Sequence, residues 1–127
     1  MNTNIRLGRG IREEVGSWFG VTTGQGRRGE TYFRVNGREI GHLHGERAAL
    51  FQFDGAVRDQ LRLAGRITDH PLYPAGQGPA VRSIAAADDA QDVIRLMRIN
   101  YDIAMARLNR RAVRSATAPL AGQMVAN

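Results

Sequence analysis

The sequence lacks several residue types that common functional sites require. Its 127 residues contain no cysteine and no lysine, and all 18 basic residues are arginine. The absence of cysteine excludes disulfides, thiolate zinc sites and cysteine nucleophiles. The absence of lysine excludes Schiff-base chemistry and acid–base roles for a side-chain amine. Only three histidines are present, and they become the first candidates for acid–base chemistry.

Long hydrophobic runs are also missing. Residues 1–10 have no apolar segment of the leader type, and no stretch approaches the roughly 18 apolar residues of a transmembrane helix. A chain of this length is expected to fold as one domain around one core. The expectation is therefore a cytoplasmic protein without a membrane partner.

The stretch from Glu30 to His44 organises the rest of the chain. Two strand-like runs flank Asn36-Gly37, the residue pair that a type I′ hairpin turn favours. A regular two-residue hairpin puts one set of side chains on a single sheet face, because side chains alternate along a strand. That set is Phe33, Val35, Ile40, His42 and His44. The same alternation places Glu39 and Arg34 on the opposite face.

The remaining patterns predict an α+β domain. Apolar spacing indicates an N-terminal helix around 9–18, a middle helix between Asp54 and Gly65, and a long C-terminal helix from Asp88 or Asp89 to about Arg111. The short alternating segments between them indicate a mainly antiparallel sheet of four to six strands with the helices on one face. We expect a single domain at 1–112 and a flexible C-terminal tail at 113–127.

We predict that His42, His44 and His70 meet at one end of the apolar sheet face. Neutral imidazoles can take a proton from a substrate hydroxyl near neutral pH and return it. Two alternatives stay open from the residues alone. The histidines can be structural and donate to backbone carbonyls, or the three rings can form a metal shell with Glu39 and Asp69 orienting them.

The net charge of +6 raises a nucleic-acid partner as a second class of function. The candidate contacts are Arg27, Arg28, Arg34 and the arginine-rich final helix. However, the arginines are spread along the chain, and the nearby aromatics Tyr32 and Phe33 point to opposite faces, which disfavours a base-stacking platform. A homodimer through a partly apolar edge strand also stays open.

A set of short motifs follows a fixed order along the middle of the chain. They are Tyr32-Phe33, the run Arg-Glu-Ile-Gly-His-Leu-His at 38–44, a helix through Arg58 to Gly65, His70-Pro71-Leu72, and Asn100-Tyr101 in a closing helix. In this combination the chain resembles the luciferase-domain family, small and mostly bacterial proteins that are grouped with the fungal luciferase. The resemblance covers roughly residues 21–101.

The resemblance implies a specific chemistry. Fungal members oxidise a pyrone-type phenolic luciferin with molecular oxygen, without a known flavin or metal, so the implied partners are a small aromatic substrate and O2, with no cofactor. The positions that match the family motif, and are implied to be catalytic, are Glu39, His42, His44 and His70. The chain departs from the family at Gly78-Pro79-Ala80, where a Gly-Trp pair commonly stands. A fainter likeness to MmcQ/YjbR-like proteins, which have been linked to DNA binding, keeps the nucleic-acid alternative open.

Four further residues are candidates for substrate contact: Arg38, Phe33, Ile40 and Tyr101. Arg38 is predicted at the face that carries the histidines, where its guanidinium would stabilise an enolate or phenolate anion. Phe33 and Ile40 supply the apolar surface of that face. Tyr101 lies on the stripe of the final helix that is expected to face the sheet, whereas Asn100 beside it is expected in solvent.

Overall fold

The computed structural model describes the backbone of residues 3–126 and the side chains of residues 4–116. In this part of the chain, helices stand at both ends and in the middle, and short strands lie between them. The elements are α1 (Thr3–Gly16), β1 (Val21–Gln25), β2 (Glu30–Val35), β3 (Arg38–His44), β4 (Ala48–Phe51), α2 (Gly55–Leu63), β5 (Thr68–Asp69), β6 (Ala80–Ser83) and α3 (Ala87–Ala126). The predicted α+β fold class is confirmed.

The described strands form one open sheet in the order β1-β2-β3-β4-β6-β5. Every neighbouring pair in this sheet is antiparallel. This matches the upper end of the predicted range of four to six strands. The edge strands are β1 and β5, and a homodimer through such an edge stays a prediction.

The turn between β2 and β3 is the predicted two-residue hairpin. Asn36 and Gly37 both have positive φ angles, 51° and 81°, as a type I′ turn requires. Val35 pairs with Arg38, and Arg34 pairs with Glu39. Up to this point, the register is the one that the sequence predicts.

Beyond Glu39 the register shifts by one residue. Phe33 pairs with Gly41 instead of Ile40, which leaves Ile40 as the extra residue of a β-bulge. Because of this extra residue, Ile40 and Leu43 both enter the core and are fully buried. A one-residue shift in a strand moves all later side chains to the other face.

The predicted common face for the hairpin is therefore wrong. Phe33 and Ile40 lie in the core beneath the helices, whereas His42 and His44 lie on the opposite face of the sheet. Glu39 was predicted on the face away from the histidines, and the bulge brings it onto theirs. The structure thus separates Phe33 and Ile40 from Glu39, His42 and His44.

The core fills the space between the sheet and the helices α1 and α3. Its largest fully buried side chains come from both helices and from the three central strands: Ile11, Val15, Phe33, Val35, Ile40, Leu43, Phe51, Val93, Leu96 and Met97. Asn100 is also buried, contrary to expectation, and its amide donates to the carbonyl oxygens of Ile40 (3.2 Å) and Gln52 (3.0 Å). This amide therefore ties α3 to the bulge.

Helix α3 is longer than predicted. It runs from Ala87 to Ala126, whereas its pattern predicts an end near Arg111. The backbone of the predicted tail is helical as far as Ala126, and the side chains of 117–127 lie outside the described residues. The division into a domain at 1–112 and a flexible tail at 113–127 stays a prediction. Among the described helices, none combines the length and apolar character needed to cross a bilayer.

The N-terminus of α3 is capped by a carboxylate that makes folding sensitive to pH. Asp89 accepts hydrogen bonds from the backbone N–H groups of Ala85 (2.8 Å) and Ala86 (3.0 Å), and Arg82 donates to it at 2.9 Å. The Ala85 N–H makes the largest contribution to lowering the pKa of Asp89, and partial burial opposes it. The ionised carboxylate is thus favoured by the folded state.

We expect Asp89→Ala to lower the free energy of unfolding by about 1 kcal/mol near neutral pH. Since folding lowers the pKa of Asp89, its contribution is complete above the ordinary aspartate pKa of about 4 and is lost as the pH falls through the folded-state value. Urea denaturation should show the gap between wild type and variant closing as the pH falls below the ordinary aspartate pKa. The exposed neighbour Asp88 provides the control substitution, and a gap that does not change with pH would contradict this role.

Candidate functional site

A cleft of about 760 Å³ lies over the sheet face that carries the histidines. His42, His44 and His70 all line it, together with Glu39. Leu50, Leu72 and Tyr73 supply apolar surface. Leu50 pairs directly with His42 on the neighbouring strand, so the two side chains lie side by side on one face. The structure therefore brings the three imidazoles and the predicted carboxylate to one cleft.

His42 and Glu39 form a hydrogen-bonded pair. The Nδ1 atom of His42 lies 2.8 Å from Oε2 of Glu39, and both side chains are partly buried, with 17% and 32% exposed. A carboxylate can only accept, so Nδ1 carries the proton of the neutral ring and Nε2 keeps its lone pair. This is the arrangement of a general base oriented by a carboxylate.

The ring of His42 is also held by an aromatic neighbour. Tyr32 lies opposite His42 on β2, with ring centroids 4.6 Å apart and planes inclined by 35°. The guanidinium of Arg34 sits 5.0 Å from the centroid of the Tyr32 ring. Glu39 thus orients the imidazole through the hydrogen bond to Nδ1, and Tyr32 orients it through the contact between the two rings.

The neutral ring of His70 is the opposite tautomer to that of His42. Its Nδ1 accepts the backbone N–H of Leu72 at 3.1 Å, so the proton of the neutral ring is on Nε2. Tyr73 packs edge-on against this ring at a centroid distance of 5.2 Å. His70 can therefore donate a hydrogen bond from Nε2, whereas His42 can accept a proton at the same atom.

A buried guanidinium fastens the loop that carries His70. Arg58 of α2 is 8% exposed and donates to the Gly78 carbonyl at 2.6 Å and to Oδ1 of Asp69 at 3.1 Å. Asp69 precedes His70, and Gly78 lies near the end of the same loop. Under the metal alternative Asp69 would orient the histidine rings, but its carboxylate pairs with Arg58 and with Arg62 (2.9 Å). Arg58 thus ties both ends of the loop to α2.

His44 occupies the exposed rim of the cleft, opposite Glu30 on β2. The pKa of Glu30 is lowered, first by a hydrogen bond from its own backbone N–H and next by the N–H of Arg28, with a smaller contribution from His44. Glu30 therefore keeps a negative charge at the rim beside His44.

The four predicted substrate contacts lie outside this cleft. Phe33 and Ile40 are fully buried in the core, and Tyr101 is buried there as well, with its hydroxyl donating to the Phe19 carbonyl at 2.7 Å. Arg38 is exposed at the hairpin tip and lines a different cleft beside α3. The bulge is the reason, because it leaves these residues on the helix side of the sheet while it moves the histidines away.

The metal alternative needs the three imidazoles around one ion. Among the residues that the structure describes, no group of three or more histidine, aspartate or glutamate side chains lies close enough to hold a metal. The Nδ1 atoms of His42 and His70 are each engaged, by Glu39 and by the Leu72 N–H. This arrangement does not form the three-histidine shell that the metal alternative requires.

The family model for the luciferase domain matches residues 37–100, which is just over half of the chain. The chain belongs to the luciferase-domain family. No curated protein and no solved structure matches it. The matched region contains Glu39 and all three histidines of the cleft. At a coarse level, membership indicates a luciferase-like enzyme or binder of small molecules.

Proposed function

We propose that this luciferase-domain protein oxygenates a small aromatic enol of the pyrone type with O2, without a cofactor, and that His42 is the base. The observation that carries the proposal is the Glu39–His42 pair at 2.8 Å in a cleft of about 760 Å³. A cleft of this size accommodates a small aromatic molecule. Its apolar surface from Leu50, Leu72 and Tyr73 suits the faces of such a ring.

The proposed first step is removal of the enol proton. Nε2 of His42 takes this proton, and the Glu39 carboxylate stabilises the imidazolium that forms. The resulting enolate is rich in electrons and reacts with oxygen directly. This step requires a neutral His42 ring with its proton on Nδ1, as the contact with Glu39 dictates.

The negative charge of the enolate needs a donor in the cleft. Arg38 was predicted for this role but lies in the other cleft, beside α3. Nε2–H of His70 takes its place in our proposal, since a preorganised donor at a developing oxyanion is a common source of catalytic stabilisation. Arg58 keeps that donor in place through the two ends of its loop.

The experiment that tests this function measures oxygen uptake with a panel of 4-hydroxy-2-pyrones, for the wild type and Glu39→Gln. The glutamine keeps the size and an acceptor oxygen but removes the charge that stabilises the imidazolium. We expect kcat to fall at least about tenfold, which is less than the roughly 10²- to 10⁴-fold expected for loss of the base itself. Glu13→Gln, an exposed change on α1, removes the same charge far from the cleft and should leave kcat unchanged.

Two results would overturn the proposal. One is the absence of both binding and oxygen uptake by the wild type across the panel. The other is equal kcat for the wild type and Glu39→Gln, because the Glu39–His42 pair would then contribute nothing to the reaction.

A further inference from the structure

A second cleft, of about 180 Å³, lies between the hairpin turn and helix α3. We call it the hairpin cleft. Its floor is apolar and includes Val35 and Ala104, which are 1% and 4% exposed. It is also lined by Asn36 and by three arginines, Arg38, Arg107 and Arg111. It shares no residue with the histidine cleft.

Positive charge in the hairpin cleft is not balanced by carboxylates. No acidic residue lines the cleft, and none of its three arginines forms an ion pair with another side chain in the described part of the chain. Seven other arginines do pair with carboxylates in the described part of the chain, as Arg66 does with Asp92 at 2.6 Å. The last acidic residue of the sequence is Asp102, so the part of α3 that follows is basic.

This arrangement is unfavourable for the empty protein. Arg107 and Arg111 stand four residues apart on α3, a spacing at which like charges destabilise a helix. Arg38 adds a third positive charge from the hairpin. Proteins commonly keep such locally destabilising groups of residues where these residues bind a ligand.

We propose that the hairpin cleft binds a phosphate group. A guanidinium offers paired N–H donors that match two oxygens of a phosphate, and three guanidiniums can surround one group. The Asn36 amide adds a neutral donor at the turn. The cleft volume suits a phosphate with little else enclosed, so the remainder of the ligand extends into solvent. This site is independent of the reaction proposed for the histidine cleft.

Calorimetric titration of the whole chain with inorganic phosphate and with pyrophosphate, at constant ionic strength, tests the site. Arg107→Gln should weaken binding about tenfold, because charge-assisted hydrogen bonds are lost. Arg38→Gln should act similarly from the hairpin. Arg110→Gln is the matched control, since it removes the same charge from the next turn of α3 but does not line the hairpin cleft. We expect its affinity to stay within about twofold of wild type.

A second titration, with a short DNA duplex, distinguishes a nucleic-acid backbone from a small phosphorylated molecule as the source of the phosphate group. Duplex binding that exceeds pyrophosphate binding and shows the same Arg107-over-Arg110 ranking assigns the site to a nucleic-acid backbone. Pyrophosphate binding without this excess assigns it to a small phosphorylated molecule. Equal losses of affinity in Arg107→Gln and Arg110→Gln would indicate general charge attraction and would overturn the site. Failure of the wild type to bind all three probes (phosphate, pyrophosphate and duplex) would overturn it as well.

Discussion

His42→Ala is expected to lower the oxygenation rate by about 10²- to 10⁴-fold, the range that a positioned general base contributes. The substitution removes the lone pair at Nε2 that accepts the enol proton, and no other ring in the cleft has a carboxylate on Nδ1. The fold should persist, because His42 lies on the cleft side of the sheet and outside the core. Oxygen uptake under saturating 4-hydroxy-2-pyrone, with urea denaturation in parallel, measures both quantities.

The neighbouring rim histidine provides the comparison. His44→Ala removes an imidazole from the same strand and the same cleft, but one that is exposed, whereas the hydrogen bond to Glu39 is made by His42. We expect a smaller loss of kcat than for His42→Ala. Added imidazole should restore part of the activity of His42→Ala by entering the vacated space. Equal losses in the two variants, or full activity without His42, would refute its assignment as the base.

The position of the hairpin could be predicted from sequence, but its faces could not be assigned by simple alternation. Asn36-Gly37 fixes the turn, and the pairing is regular as far as Arg34 and Glu39. A signal for the bulge was nevertheless present. Ile40 and Leu43 are three residues apart with Gly41 between them, so a regular strand cannot bury both, and glycine inside a strand often marks a bulge. A bulge inferred from this spacing would place His42 on the same sheet face as Glu39.

Other parts of the site depend on distant segments and leave no local signal. Arg58 holds a carbonyl 20 residues away in sequence, and that contact exists only because α2 packs against the loop. Leu50 faces His42 because β4 pairs with β3 in one register. Tyr101 is buried, as its place on the apolar stripe of the helix predicts, but a residue on such a stripe is more often core than site. The presence and order of the helices were predictable, since their apolar spacing is local, but not all of their bounds: α1 begins at Thr3, whereas the pattern predicts 9–18.

The bulge also explains how Glu39 and His42 meet. Residues three apart on a regular strand point to opposite faces, so their side chains cannot bond. The extra residue Ile40 brings both onto the cleft face, where they form the 2.8 Å contact. The catalytic pair that we propose is thus a consequence of local irregularity, and it depends on the residue that permits the bulge.

That residue is Gly41. Its φ angle is 153°, which residues other than glycine rarely adopt. A Cβ atom added at this position would lie 2.6 Å from Sδ of Met97 and 2.9 Å from Cδ1 of Phe51. We therefore expect Gly41→Ala to lower the free energy of unfolding by about 3 kcal/mol or more, since overpacking and backbone strain each contribute about 1–3 kcal/mol. Urea denaturation followed by circular dichroism measures this loss.

Gly10→Ala is the matched control, because Gly10 lies inside α1 and an added Cβ would meet no atom within 4 Å. Alanine should stabilise that helix by about 0.5–1 kcal/mol, so the same substitution has opposite signs at the two positions. Gly41→Ala protein that does fold can relieve the clash by losing the bulge. Regular pairing would then return Glu39 and His42 to opposite faces, and oxygenation should fall with the contact. A Gly41→Ala variant as stable and as active as wild type would show that neither the bulge nor the pair depends on this glycine.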